Sequence, residues 1–350
     1  MCIKKDCIYF NGYKPCEFHK KERIHCDNCE HYDKYNKTVL IIKLQAGGEV
    51  IRTTPLLHKL KGHRIFWLTK FPDLIPKDKV YKILEWGMNS ILFLLDQKFD
   101  IVFSLDKDLE ACSLANLVKA EIKKGFSQKD GVIVPFDIQA ESKWLTGIFD
   151  DLMEKNQKHY VQEIFDICGF KWMNEKYILP KFTIPKINLK TNKKIIGLNI
   201  GAGPIWKTRV LSEKKIVSLV KELSNKYEVI LLGGLSEDLT NQRLASKTNA
   251  KYFGTFNLNE FIGLMSLCDL ILTGVTMALH IAIGLNKKII LLNNIFPLNE
   301  FYLFENGKIL EPNIPCKKCY KTKFDSDCLT KDCLDIISNK EIITAIEDII

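Results

Sequence analysis

Lys43-Leu44-Gln45-Ala46-Gly47-Gly48-Glu49-Val50-Ile51-Arg52-Thr53-Thr54-Pro55-Leu56-Leu57 and Thr273-Gly274-Val275-Thr276-Met277-Ala278-Leu279-His280-Ile281-Ala282-Ile283-Gly284 decide the fold. Each follows an apolar run with strand character, residues 39–44 before the first and 270–272 before the second, and each opens a run with helix character. A strand, a tight glycine turn and a helix N-terminus point free backbone N–H groups and a helix dipole at one spot, which suits an anion. One such turn in each half predicts a ligand held between two α/β domains.

Outward from these turns the chain alternates. Strands are predicted at 39–44, 64–69, 101–105 and 122–125, with helices at 49–61 and 107–118. A short element is expected at 79–84 and an apolar run lies at 91–95; residues 144–168 read as one or two helices. Pro180, Pro185 and several lysines mark 178–192 as a linker. The alternation then restarts, with strands at 194–199, 228–232, 270–272 and 288–292 and helices at 212–226, 236–248, 258–266 and 276–285. Such βαβ alternation predicts parallel sheets covered by helices on both faces, with ligands at the carboxyl ends of the strands. Thr53-Thr54-Pro55 inside a helix predicts a kink or a late start.

The 350 residues leave room for two cores, and 46% hydrophobic with 27% charged residues excludes a disordered or fibrous chain. The N-terminus lacks a signal-peptide run, and no uncharged apolar stretch reaches the ~18 residues of a membrane span. The expectation is a cytoplasmic protein that meets a membrane, if at all, peripherally at the inner face. The net charge of +9, mostly lysine, fits phosphate-bearing ligands, an anionic membrane or nucleic acid. It fits a lysine-rich surface equally well, because the lysines are scattered.

Several residues are placed for chemistry. Glu49 sits in the first helical turn after Gly47-Gly48, where a carboxylate can take a proton from an attacking hydroxyl or simply complement the helix dipole. Arg52, one turn on, pairs with Glu49 or reaches a phosphate. Gly201-Ala202-Gly203-Pro204-Ile205-Trp206-Lys207-Thr208-Arg209 is a glycine-rich loop in which Lys207 and Arg209 can neutralise a diphosphate, or a plain surface turn. It lacks the Gly-Lys-Ser/Thr core of a Walker A loop. Ser236 is a candidate N-cap, and Glu237 or Asp238 can reach a ribose or serve the dipole. Thr276 would contact phosphate; His280, at i+4, is more often a packed structural residue.

These segments resemble glycosyltransferase family 9, the ADP-heptose heptosyltransferases. Residues 43–57 resemble its amino-terminal signature, 273–284 its donor-site signature and 201–209 its phosphate loop, and the likeness spans about residues 38–345. It implies a GT-B fold: two Rossmann-like doubly wound domains facing a cleft, with a final helix at 339–350 crossing back. The domains would be a Cys-rich metal-binding segment at 1–37, an acceptor domain at 38–185, a nucleotide-sugar donor domain at 193–312, and a Cys-rich segment with the crossing helix at 313–350. It implies inverting transfer of a sugar, usually heptose, from an ADP-sugar to a hydroxyl of lipopolysaccharide or another glycan or glycolipid, without a catalytic metal. On this resemblance Glu49, where the family usually has Asp, is the general base and Lys207 the phosphate-binding lysine. Gly47, Gly48, Arg52, Gly201, Ala202 and Arg209 belong to the donor and phosphate site. Glu237 corresponds to a ribose-binding acid, Phe256 to a residue beside adenine, and Thr276, Met277 and His280 to the donor-site helix. Val275 stands where many members carry an Asp that contacts the donor sugar, which weakens the assignment to heptose.

Twelve cysteines are many for a reducing compartment, and nine lie at the ends. Cys7, Cys16, Cys26 and Cys29, and Cys316, Cys319, Cys328 and Cys333, give each end four thiolates with one C-x-x-C pair. That is enough for a structural zinc or iron site or an iron–sulfur cluster at each end, or for one shared site. Two other readings compete: a basic zinc-containing nucleic-acid-binding protein, and a non-catalytic scaffold. Stacking platforms are not evident, so nucleic acid is not the expected partner.

Overall fold

A computed structural model of the protein describes residues 2–201, 209–314 and 332–350. Contacts divide the chain into two compact units. The first comprises Met1–Gln45, Thr53–Phe149 and Val161–Ile178; the second comprises Ala46–Arg52, Asp150–Tyr160 and Leu179–Ile350.

The first unit begins with helix α1 (Glu17–Glu22) and strand β1 (Thr38–Ile42). Helix α2 (Gly47–Thr53) follows and belongs mostly to the second unit. The chain then gives β2 (Arg64–Thr69), β3 (Lys82–Glu85), α3 (Met88–Asp96), β4 (Lys98–Ser104), α4 (Leu109–Leu117), β5 (Lys119–Lys129), β6 (Val132–Pro135) and α5 (Ile138–Leu145). Helix α6 (Asp150–Lys155) falls in the second unit, and α7 (Tyr160–Cys168) begins there and ends in the first. The sheet order is β3-β2-β1-β4-β5-β6, parallel except for β6. Leu40, Ile42, Phe66, Phe99 and Val102 form its core with Ala111 and Leu114 of α4.

The second unit's sheet is built from β7 (Ile195–Asn199), β8 (Glu228–Leu232), β9 (Leu270–Gly274), β10 (Lys288–Leu292) and β11 (Gly307–Leu310). All its strand pairs are parallel, in the order β11-β10-β9-β7-β8. Its helices are α8 (Glu213–Leu223), α9 (Asp238–Lys247), α10 (Leu258–Ser266), α11 (Met277–Gly284) and α12 (Asn339–Glu347). The amphipathic α8 buries Ile216, Leu219, Val220 and Leu223 against Val229, Leu231 and Leu272. α11 is apolar all round and its residues 278–283 are buried, as a helix covered on every side must be.

Five sequence expectations are revised by packing. Helix 49–61 ends at Thr53 and continues as a 3-10 turn over Thr54–His58, because Pro55 cannot donate to the helical ladder. The apolar run 91–95 is part of α3, not an unassigned stretch. The short strand 122–125 is an eleven-residue strand that pairs back with β6. Residues 178–192 carry no regular element, yet the stretch is held: Asn259 donates to the Lys181 carbonyl at 2.6 Å and accepts the Thr183 N–H at 2.7 Å. The final helix, expected to cross back, packs in the second unit: Ile342, Ala345 and Ile346 join its core. Lys226 and Lys308 pair with Glu347 and Asp348.

Candidate donor site of the second unit

In the second sheet the chain passes from β7 to β8 on one side and returns to β9 on the other. The carboxyl ends of β7 and β9 therefore flank the switch point of the sheet, where open α/β folds bind ligands. Asn199 ends β7 and Thr273 sits near the end of β9. The Asn199 Nδ2 lies 3.1 Å from Thr273 Oγ1 and 3.2 Å from both Thr276 Oγ1 and the Gly201 carbonyl. Thr276 is the N-cap of α11 and accepts the Ala278 N–H at 3.2 Å. One amide thus ties the Gly201 loop to the start of α11. A small hollow lies here, lined among others by Asn199, Arg209, Thr273 and Gly274.

Arg209 is buried and donates to the Val275 carbonyl at 3.4 Å, with its guanidinium 4.6 Å from the Phe296 ring centre. Burial pushes its pKa down to about 10. It still carries its charge at neutral pH, beside the turn that opens α11. Glu237 stands against Gly201: a Cβ on that glycine would meet Glu237 Oε1 at 2.8 Å. The same carboxylate accepts the Gly234 N–H at 2.9 Å and the Ser236 hydroxyl at 2.7 Å. Ser236 is therefore not the helix cap; a 3-10 turn over Leu235–Glu237 precedes α9. Phe256 is half-buried in the loop before α10. Lys207 and Ala202 lie outside the described residues.

The two turns that open the sequence reading meet within this unit. A Cβ on Gly48 would fall 2.6 Å from His280 Cδ2 and 3.6 Å from Met277 Cα, so only glycine lets the start of α2 approach α11 this closely. Ala46, just before, has φ 51°, a left-handed conformation that costs a non-glycine residue about 1–2 kcal/mol. Its carbonyl accepts the N–H groups of Glu49 and Val50 at 2.8 and 3.0 Å, which starts α2. Gly47 is buried and Glu49 half-buried.

Glu49 Oε2 accepts the Tyr160 hydroxyl at 3.2 Å. Arg52 Cζ lies 3.7 Å from the Tyr160 ring centre, and its Nη2 donates to the Glu300 carboxylate at 2.5 Å and the Glu300 carbonyl at 3.2 Å. Arg52 and Glu300 are both buried, and the guanidinium makes an internal ion pair and lies on an aromatic face. The contacts described for Arg52 are those to Glu300 and to the Tyr160 ring, next to the Glu49 carboxylate that the same tyrosine holds. His280 is buried, and burial, seconded by Arg52 and opposed by Glu49, holds its imidazole well below the ordinary 6.5. It is neutral at physiological pH.

Sequence reasoning missed Asn199, Tyr160 and Glu300. Asn199 carries a signal, a polar residue closing an apolar strand just before Gly201. Tyr160 and Glu300 carry none, since they reach Glu49 and Arg52 only through folding. Of the cysteines assigned to metal, Cys316, Cys319 and Cys328 lie outside the described residues; Cys333 starts a 3-10 turn and its Sγ accepts from Asn294 at 3.0 Å. Among the described residues no group of three or more His, Cys, Asp or Glu is arranged as a metal site, and no helix is long and apolar enough to cross a membrane.

The profile of glycosyltransferase family 9 (heptosyltransferase) matches residues 92–295. The match takes in the Gly201 turn and 273–284, and it begins after the first glycine turn. Covering more than half of the chain, it shows that this protein belongs to that family and is a glycosyltransferase. Solved structures share the fold. A family 9 glycosyltransferase from Veillonella parvula is 17% identical with a TM-score of 0.64, over 90% of this chain and 97% of that one. The E. coli ADP-heptose LPS heptosyltransferase II is 12% identical with a TM-score of 0.64, over 89% and 98%. The E. coli heptosyltransferase WaaC with ADP-2-deoxy-2-fluoro heptose is 13% identical with a TM-score of 0.59, over 89% and 99%. No protein of curated function matches the chain in sequence.

Proposed function

We propose that the protein is a GT-B glycosyltransferase that moves heptose from an ADP-sugar to a hydroxyl of lipopolysaccharide or another cell-surface glycan, with inversion. The observation that carries this reading is the close approach of Gly48 to His280 and Met277, which puts Glu49 beside the start of α11. In the reaction Glu49 takes the acceptor hydroxyl's proton as its oxygen attacks the anomeric carbon. The bond from that carbon to the diphosphate breaks, and ADP leaves. Tyr160 holds the Glu49 carboxylate through its hydroxyl, and Arg52, fixed by Glu300, holds the Tyr160 ring. His280, held neutral by burial, adds no positive charge of its own beside Glu49.

The departing diphosphate gains charge in the transition state, so fixed donors aimed at it lower the barrier. The N-terminus of α11, capped by Thr276, and Lys207 supply them in this reading. Arg209 shapes the turn through the Val275 carbonyl, and Glu237, against Gly201, is placed for the ribose. Phe256 would lie beside adenine. Val275 brings an apolar side chain to the turn before α11, so the polar contacts to the donor sugar come from other residues. The work site is the inner face of the cytoplasmic membrane, reached peripherally.

Glu49→Gln tests the assignment. Transfer should fall about 100- to 10,000-fold, while ADP affinity by calorimetry stays within a few-fold. ADP should bind in preference to UDP and GDP. Full activity in Glu49→Gln refutes the base, and preference for UDP or GDP refutes the ADP-sugar donor.

A further inference from the structure

Residues 2–37 gather four cysteines around one cavity. Cys7, Cys16, Cys26 and Cys29 line it together with Phe18 and Tyr32. All four are free thiols. Cys7 is the one buried residue of this segment. A segment with one fully buried side chain and otherwise half-buried or exposed ones has a small apolar gain to set against roughly 1–2 kcal/mol of backbone entropy per ordered residue. It is nevertheless ordered: it holds α1, a 3-10 turn over Cys26–Asn28 and an antiparallel bridge between Cys7 and Lys34. Part of its anchorage is Arg64, which donates to the Phe10 carbonyl at 2.9 Å. The cysteine end is tied by polar contacts such as Tyr32 to Asp6 and His31 to Glu22, and small segments of this kind are commonly held in addition by disulfides or a metal.

The sulfur environment favours a metal. Cys16 Sγ caps α1 and accepts the His19 N–H at 3.4 Å. Cys26 and Cys29 have the two-residue spacing of a metal knuckle, and Lys4 in the same wall offsets the charge of a four-thiolate ion. His31 also lines the cavity, but it stacks on Phe18 at 3.9 Å and contacts Glu22 at 3.1 Å, which assigns it to the wall.

We propose that Cys7, Cys16, Cys26 and Cys29 bind one thiophilic metal ion, zinc or iron, that staples residues 2–37. As they stand these groups form no ready-made site, so binding turns the thiols toward the cavity centre. Four thiol protons leave to solvent as four metal–sulfur bonds form. The proposal is independent of the sugar-transfer reading.

The test uses the full chain as purified. Elemental analysis identifies zinc or iron, and the Cys26→Ser/Cys29→Ser variant should lose about one equivalent of it per chain, whatever is bound elsewhere. Because that variant can fail to fold, thiol alkylation is mapped by mass spectrometry on the unaltered protein, with the exposed Cys2 as internal reference. Cys7, Cys16, Cys26 and Cys29 should resist alkylation together and become reactive together on chelation. Alkylation of Cys16, Cys26 and Cys29 at the rate of Cys2 before chelation, protection that survives chelation, a disulfide among the four, or undiminished metal in the folded variant would each overturn it.

Discussion

The two sheets reverse direction at equivalent places but finish them differently. In the first unit the switch point lies between β1 and β4, and an ion pair closes it. Lys43, just past β1, is buried against Asp106, just past β4, and Asp106 also accepts the N–H groups of Leu44 and Gln45. In the second unit the switch point lies between β7 and β9. It carries Asn199 and Thr273 at a small hollow that Arg209 also lines, with Thr276 and the start of α11 beside it. A strand end whose cation is paired with its own carboxylate offers less to an anion than one bordered by hydroxyls, an amide, a guanidinium and a helix N-terminus. The same topology thus yields a sealed end and an open one.

The largest effect that would break this contrast is expected at the sealed end. Lys43→Met leaves the Asp106 carboxylate buried without its cation and should cost about 3–5 kcal/mol in urea unfolding. ADP affinity of the folded fraction should stay within a few-fold. If ADP binding falls with it, the first unit's strand ends are not merely structural. The next effect falls where the two glycine turns meet. Gly48→Ala drives a methyl against His280 and should cost about 1–3 kcal/mol, with much of that recovered in Gly48→Ala/His280→Ala. Failure of the second change to rescue the first would place the strain in the backbone.

The smallest effect sharpens the role of His280. Its folded pKa is depressed, so below the ordinary 6.5 the unfolded chain takes a proton that the folded chain refuses. Its contribution is therefore complete above that pH and is lost as the pH falls below it, by about 1.4 kcal/mol per pH unit. In urea unfolding across that range, His280→Gln should show a shallower acid-side loss than the parent chain. Equal slopes would mean that another group carries the titration.

Much of the strand and helix alternation was legible because strand ends and apolar periodicity are local. β6 was not, and β5 was read only at 122–125, although Asp130-Gly131 marks a hairpin turn and both residues take positive φ. Their polar, half-exposed faces hide the alternation that a one-sided strand would show. In the site, Gly47, Gly48, Glu49, Thr276 and His280 stood out from turn chemistry alone. Arg52 did not reveal its commitment to Glu300, because a cation's partner 248 positions away leaves no mark on local pattern.

By itself the sequence determined two α/β halves, two glycine turns before helices and clustered cysteines at both ends, since backbone conformation and composition are written residue by residue. Only the tertiary structure decided which switch point is closed by charge, which residue each buried cation pairs with, and that four cysteines near the N-terminus share one cavity. Those outcomes depend on distances between residues far apart in the chain, which folding sets and no local window contains.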